Sequence, residues 1–282
     1  MGKEYRYIKL IRWGQYVIPL FFGIGVILTG GPLVLLVLSD SAFSPALLPL
    51  LFLTPILVVE GVLFWYLYYR LAGISVSIGD EAIVYKHRRG KKRIPFDEIT
   101  GLKFPSARYV GGWIKIISKN DTIRLTTAVE NISDFLQELK ASLDNRRLSD
   151  RYDRAQFFRF LKTAVYLGQS WARAYLVLWR LVVLTIFSAV IGFVLAVLGS
   201  PGSLGRVVWV SVSFLWPTVV YLATEVVFAR RIAKGSDEES FTCPSRDIVY
   251  ETILYDKAVR LGASLYFGTS LGVLALWLFS RY

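Results

Sequence analysis

Apolar positions follow two patterns along this chain. Long unbroken runs occupy the first quarter and the last third, and short alternating stretches lie between them. The run over residues 15–38 is nearly uncharged, and twenty residues of helix at 1.5 Å each already cover the roughly 30 Å hydrocarbon core of a bilayer. A second run, residues 46–69, follows a short polar turn at 39–45 and ends at Arg70. Apolar runs return at residues 181–198, 207–229 and 261–280, so the pattern predicts five spans. Each has a stop: a glycine- and proline-bearing loop at 199–205, and Arg230, Arg231, Arg260 and Arg281. The first run is longer than the core of a signal peptide, and no small-residue cleavage pattern follows it, which predicts that it is retained.

Charge sets the expected orientation. Lys3, Arg6, Lys9 and Arg12 precede the first span, while the turn after it carries only Asp40, so the N-terminus is expected to be cytoplasmic. Alternation then places residues 71–172 and 230–260 on the same side and the C-terminus outside.

The middle region changes period. Residues 74–78 and 82–85 are rich in β-branched side chains around a Gly79-Asp80 turn, and further strands are expected at 93–96, 99–104, 113–118 and 122–126. Val129, Ile132, Phe135, Leu136, Leu139 and Leu143 then recur at three and four, which predicts a helix with one apolar face, capped by Thr127 or Asn131. Strands followed by one such helix predict a small antiparallel barrel or sandwich with the helix over its open end.

The stretches RIPFDEITGLKF at residues 93–104 and GGWIKIISKNDTIRLTTAVENISDFLQELK at 111–140 resemble a bacterial or archaeal PH-like domain. Such domains often follow a two-helix membrane hairpin, as here. The resemblance covers about residues 70–143 and implies a bent sheet of seven strands with a capping helix, one strand more than the six expected above. The fold class expected is thus a polytopic α-helical membrane protein with an inserted cytoplasmic β-rich PH-like domain. Its expected divisions are a cytoplasmic N-terminus at 1–14, spans one and two within 15–70, the PH-like domain at 71–143, and a basic amphipathic connecting helix at 144–172. Spans three and four then fall within 173–229, a cytoplasmic loop at 230–260 and span five at 261–282.

Composition narrows the chemistry. A mean hydropathy of +0.48 with 54% hydrophobic residues removes the chain from the soluble class. One cysteine, Cys243, excludes an intrachain disulfide and a cysteine zinc cage, and one histidine, His87, excludes a two-histidine metal helix. No phosphate-binding glycine loop or nucleophile elbow is present, so no cofactor, metal or catalytic residue is expected.

The formal charge of +12 draws attention to its densest cluster. Lys86, Arg88, Arg89, Lys91, Lys92 and Arg93 surround His87 and suit anionic lipid headgroups, at about 1 kcal/mol per basic residue near an anionic surface. Alternatively they form a solvated hairpin whose charge keeps it inside. The cluster lacks the interleaved aromatics of a nucleic-acid surface. Arg151, Arg154, Arg159 and Lys162 alternate with Phe157 and Phe158, as on a helix lying in the membrane interface or packing its phenylalanines on protein. Glu60 lies about 15 Å along the helix from Arg70, near the midplane, and must be protonated, paired or facing a polar cavity. Glu225, five residues from Arg230, is expected to snorkel to the interface. Ser188, Gly192 and Ala196, and the Gly268/Gly272 pair, form small faces that favour helix packing.

These features point to a non-catalytic adaptor or accessory subunit in the cell membrane. It would bind another integral membrane protein or a second copy of itself, together with anionic lipids and no nucleic acid. The alternative is an ion- or proton-coupled transporter or channel working through Glu60.

Overall fold

The computed structural model describes residues 3–38, 48–199 and 203–279. The chain divides into two compact units, Met1–Pro105 with Gly112–Phe157, and Ser106–Gly111 with Phe158–Tyr282. Among the described residues, four helices are long and apolar enough to cross a membrane: Lys9–Leu35, Pro49–Ala72, Arg154–Val197 and Trp209–Gly235. Their large apolar side chains face outward, Phe21 at 71% exposure and Ile186 at 61%, as lipid-facing surfaces do and soluble surfaces rarely do. This is a membrane protein.

The first unit opens with a strand that the sequence pattern did not mark. β1 (Glu4–Arg6) pairs antiparallel with β2 (Ser75–Ile78), Tyr5 opposite Val76. Between the two strands run α1 (Lys9–Leu38) and α2 (Leu48–Ala72). The segment expected as the N-terminus at 1–14 thus holds more than a polar lead: residues 4–8 belong to the β domain, α1 already begins at Lys9, and the helical hairpin is inserted between the first two strands. Tyr5, Tyr7 and Ile8 are buried, and the Ile8 N–H donates to Ala128 O. No acidic residue lies in the first turn of α1, but Glu130 supplies one from afar. Its carboxylate accepts from Lys9 N at 3.2 Å and pairs with Arg12 at 3.0 Å, meeting the positive end of the helix. Within the hairpin, Thr54 donates to Thr29 Oγ1 at 3.0 Å, and a Cβ added at Gly61 would lie 2.8 Å from the Phe22 side chain. The turn expected at 39–45 lies outside the described residues.

β2 continues into β3 (Ala82–His87) and β4 (Gly90–Pro95), completing a four-stranded antiparallel sheet in the order β1-β2-β3-β4. β5 (Ile99–Lys103) follows a 3₁₀ turn at Phe96–Glu98, and a two-residue strand, β6 (Ser106–Ala107), comes next. β7 (Gly111–Ser118) pairs with both β5 and β8 (Thr122–Thr126). Alternation buries Ile114, Ile116, Ile123 and Leu125. Against these residues' unit, α3 (Ile132–Asn145) buries Ile132, Phe135, Leu136, Leu139 and Leu143, each side chain contributing about 1.5–3 kcal/mol. Asn131 occupies its N-cap in a left-handed conformation without a side-chain cap bond, so the adjacent Glu130 and Asn131 stand at the N-termini of two different helices, α1 and α3.

The second unit is built on α4 (Arg154–Gly199), α5 (Ser203–Gly235) and α6 (Ile248–Phe279). The expected separate connecting helix is corrected. A 3₁₀ turn at Ser149–Arg151 ends the first segment, and from Arg154 a single helix of 46 residues runs into the third apolar run. At 1.5 Å per residue it is about 70 Å long, more than twice the hydrocarbon core, so much of it stands outside the bilayer. The expected fifth span falls in α6, and the loop residues 200–202 and Arg281 lie outside the described residues.

Three helices meet at buried polar contacts. The Trp216 indole donates to Ser188 Oγ at 2.8 Å, and Tyr266 donates to Ser213 Oγ at 2.6 Å and stacks on Trp216. Nearer the polar ends, Arg173 is 1% exposed and forks onto Glu225 at 2.8 and 2.9 Å, while its Nη1 reaches Glu251 at 3.1 Å. Tyr255 donates to Glu225 at 2.5 Å, and Arg246 donates to Glu251 at 2.8 Å. The Arg173 guanidinium also lies 4.2 Å from the Phe228 ring centre. Glu225 therefore does not snorkel: a partner on α4, invisible from its own helix, holds it inside.

Candidate anionic-ligand site

The dense basic cluster is not a loop but a tight hairpin, His87 facing Gly90 across the turn Arg88-Arg89. Period two splits its charges between faces. Tyr85 pairs with Lys92 on the face that buries Ile83 and Ile94 further along, whereas Lys86 pairs with Lys91 and Val84 with Arg93 on the other. On that other face Lys86 lies 3.9 Å from Glu4, and Arg93 pairs with Glu81 at 3.2 Å.

Two cavities adjoin the first face and share Arg70, Tyr85 and His87. One, of about 340 Å³, is lined by Tyr66, Tyr69, Arg70, His87, Arg88 and Arg89. The other, of about 440 Å³, is lined by Arg70, Tyr85, His87, Lys92, Lys115 and Arg124. The site lies at the end of α2, where Trp65, Tyr66 and Tyr69 are exposed together with Trp13 and Tyr16 of α1, as in the aromatic belt at headgroup depth.

The cations differ in what holds them. Arg88 is committed: its guanidinium lies 3.6 Å from the Tyr69 ring centre, its Nε donates to Tyr69 O at 3.1 Å and its Nη2 to Gln15 Oε1 at 2.6 Å. It ties the hairpin tip to both membrane helices. Lys92 pairs with Asp121. Arg70, Arg89, Lys115 and Arg124 make no ion pair among the described residues. Lys115 and Arg124 stand directly opposite each other on β7 and β8, a like-charge pair that costs stability unless an anion lies between. Burial pushes the Tyr85 phenol above its ordinary pKa despite nearby Arg70, so at neutral pH it remains a hydrogen-bond donor. His87 Nδ1 accepts from the Arg89 N–H at 3.1 Å, fixing the turn.

Of the six residues the sequence pattern nominated, Arg88, Arg89 and Lys92 line these cavities, while Lys86, Lys91 and Arg93 do not. The pattern missed Arg70, Lys115 and Arg124, which come from α2, β7 and β8 and converge only in three dimensions. The other nominated residues lie elsewhere. Glu60 stands on the exposed face of α2 with no partner among the described residues. Phe157 and Phe158 are both buried, the first against Phe104 and Tyr152, the second against Phe241, so they pack on protein rather than lying in a lipid interface. Arg151 is in the 3₁₀ turn, Arg154 begins α4, Arg159 is exposed and Lys162 lies 4.6 Å from the Phe158 ring centre. Ser188 and Ala196 are buried, and a Cβ added at Gly192 would come within 2.3 Å of Ser213 Cβ. Among the described residues, nothing lies within 4 Å of a Cβ added at Gly268 or Gly272.

Comparison of the chain with models of protein families, with curated proteins and with solved structures returns no match.

Proposed function

We propose that this chain is a five-span protein of the cell membrane whose β domain is PH-like and faces the cytoplasm, and that it works by binding rather than by chemistry. In this reading it is an accessory subunit: the domain engages anionic lipid headgroups at its foot, and the spans hold a partner membrane complex. The observation that carries it is the set of cations without acidic partners among the described residues, Arg70, Arg89, Lys115 and Arg124, around two cavities at the aromatic belt. The N-terminal strand supplies the seventh strand of three residues or more, and α3 the capping helix, which supports the PH-like assignment. Basic residues before α1 and at the end of α2 support a cytoplasmic domain. Glu60 on the outer face of α2 favours contact with a partner helix over a pathway inside this chain.

The test is a titration of the full chain in neutral detergent with dioleoyl phosphatidylglycerol or dioleoyl phosphatidylcholine. At about 1 kcal/mol per cation, Arg89→Gln/Lys115→Gln/Arg124→Gln should weaken phosphatidylglycerol binding at this site roughly 100-fold. Unchanged binding would remove the lipid reading. Affinity purification from the native membrane should retain a stoichiometric membrane partner, and a solitary chain would remove the accessory-subunit reading.

A further inference from the structure

The second unit carries a separate cavity of about 290 Å³, lined by Val177, Arg180, Leu181, Leu184, Val259 and Arg260. Its polar end is organised by Asp256. Arg180 pairs with the Asp256 carboxylate at 2.9 Å, and Arg260, one turn further along α6, reaches back so that its Nε donates to the Asp256 carbonyl at 3.2 Å. Side chains on a helix lean toward its N-terminus, which is why Arg260 gathers at the level of Asp256 rather than deeper. Both guanidiniums retain N–H groups with no partner among the described residues, and one carboxylate leaves the pair with a net positive charge.

The other end is apolar. Leu181, Leu184 and Val259 continue the wall toward the apolar runs of α4 and α6. Trp179, beside Arg180, is 75% exposed, and Tyr175 one turn earlier is exposed as well, marking this level of α4 as headgroup depth. A ligand that fits must present an anion with hydrogen-bond acceptors at one end and hydrocarbon at the other. A soluble anion would leave the apolar wall uncovered.

We infer that this cavity between α4 and α6 is a second binding site for an anionic phospholipid, its phosphodiester held by Arg180 and Arg260 and its acyl chain lying along Leu181, Leu184 and Val259. Planar guanidiniums with two free N–H groups suit phosphate oxygens better than a point charge does. The site is independent of the cavities beside α2, since it uses none of their residues.

Native mass spectrometry of the full, delipidated chain titrated with dioleoyl phosphatidylglycerol tests it. Arg180→Gln/Arg260→Gln should retain one lipid fewer than the wild type, with that site weakened at least about tenfold, as for loss of a charge-assisted contact. The same variant should still bind through Arg89, Lys115 and Arg124, and the triple variant at those positions should keep the α4–α6 lipid, so the two sites fail separately. Arg260→Lys, which keeps the charge without the planar fork, should bind at an intermediate level and guards against a folding defect. Lys257→Gln, an exposed cation outside the cavity, should bind as the wild type. Equal retention by the double variant, equal binding of dioleoyl phosphatidylcholine, or an equal loss in Lys257→Gln would overturn the site. Displacement of the lipid by inorganic phosphate would overturn the lipid assignment in favour of a free anion.

Discussion

Tyr5 and Glu138 stand 133 positions apart in the chain, yet the tyrosine hydroxyl donates to the carboxylate across 2.7 Å. The same ring packs edge-on against Phe135, 5.4 Å between centres, so a residue ahead of the first membrane helix is seated on the last helix of the β domain.

Removing that seat should loosen the domain. Tyr5→Phe is expected to cost about 1 kcal/mol, the net value of one hydrogen bond. Tyr5→Ala also empties a buried ring site and should cost about 3–5 kcal/mol. Thermal unfolding of the full chain in detergent reads both, and a wild-type midpoint for Tyr5→Ala would mean that β1 is not part of the folded domain.

Stability should fall at both ends of the pH scale. Burial alone would raise the Asp144 carboxyl, but hydrogen bonds from Lys140 and Tyr152 outweigh it and hold the group below the ordinary carboxylate range. Bonds from Ser75 and Arg6 do the same for Glu4. Groups depressed in the folded state contribute stability above their unfolded pKa and lose it as pH falls, here below about pH 4. At the alkaline end, burial and the Glu138 contact raise Tyr5, and burial and the Asp144 contact raise Tyr152. Their contribution is complete below about pH 10 and is lost as pH rises beyond it. Circular dichroism melts of Asp144→Asn should show a shallower acid limb, and an unaltered limb would remove Asp144 as its source.

Arg173 is a different kind of contact because it and both of its carboxylate partners are buried. Arg173→Ala would leave Glu225 buried without its cation and Glu251 with Arg246 alone, and should cost about 3–5 kcal/mol. Replacing all three together with Arg173→Met, Glu225→Leu and Glu251→Leu should recover most of that loss, since apolar packing substitutes well for a buried ion network. A triple variant no more stable than the single one would show that the charges are required for the α4–α5–α6 arrangement itself.

Two glycines from the same small-residue pattern should behave oppositely. Gly192→Ala forces a methyl against Ser213 and should destabilise the second unit by about 1–3 kcal/mol, whereas Gly268→Ala meets open space and should be neutral in the isolated chain. The melting temperature of each in detergent decides it. Loss of stability in both would mean that Gly268 faces a neighbour within the same preparation.

Glu60→Gln makes the test of the partner surface. The exposed carboxylate has no partner among the described residues, so the isolated chain should melt within about 0.5 kcal/mol of wild type. Recovery of the partner from native membranes should fall. Full recovery would leave Glu60 with no part in that contact.

The apolar runs and six of the seven strands after β1 were legible because their signals are local: uninterrupted hydrophobicity, alternation, and turn residues between; the two-residue β6 is too short to carry one. β1 was not, because three residues carry no period and their partner lies beyond two membrane helices. The bond from Ser75 to Glu4 spans 71 positions. The basic cluster was legible as charge but not as a site, since strand pairing turns Lys86, Lys91 and Arg93 away and brings in Arg124 from β8. Glu225 was misjudged by measuring its distance to Arg230 along one helix, when Arg173 on another was the nearer cation. Arg173 itself gave a faint signal: an arginine only eight residues before an apolar run, with acidic residues near the same ends of the two later helices.

The insertion of α1 and α2 between β1 and β2 makes the β domain a check on the hairpin's own topology. β1 is made before α1 and α2 and finds its neighbour β2 only after both helices have been made. If one helix crossed the bilayer and the other did not, the two strands would stand on opposite faces, separated by roughly 30 Å of hydrocarbon, and the sheet would lose its first edge. A chain in which only one of the two helices has crossed cannot bury Tyr5 and Tyr7 against that sheet. Protease resistance of β1 therefore reports on the hairpin that separates it from β2, and argues against a half-inserted one.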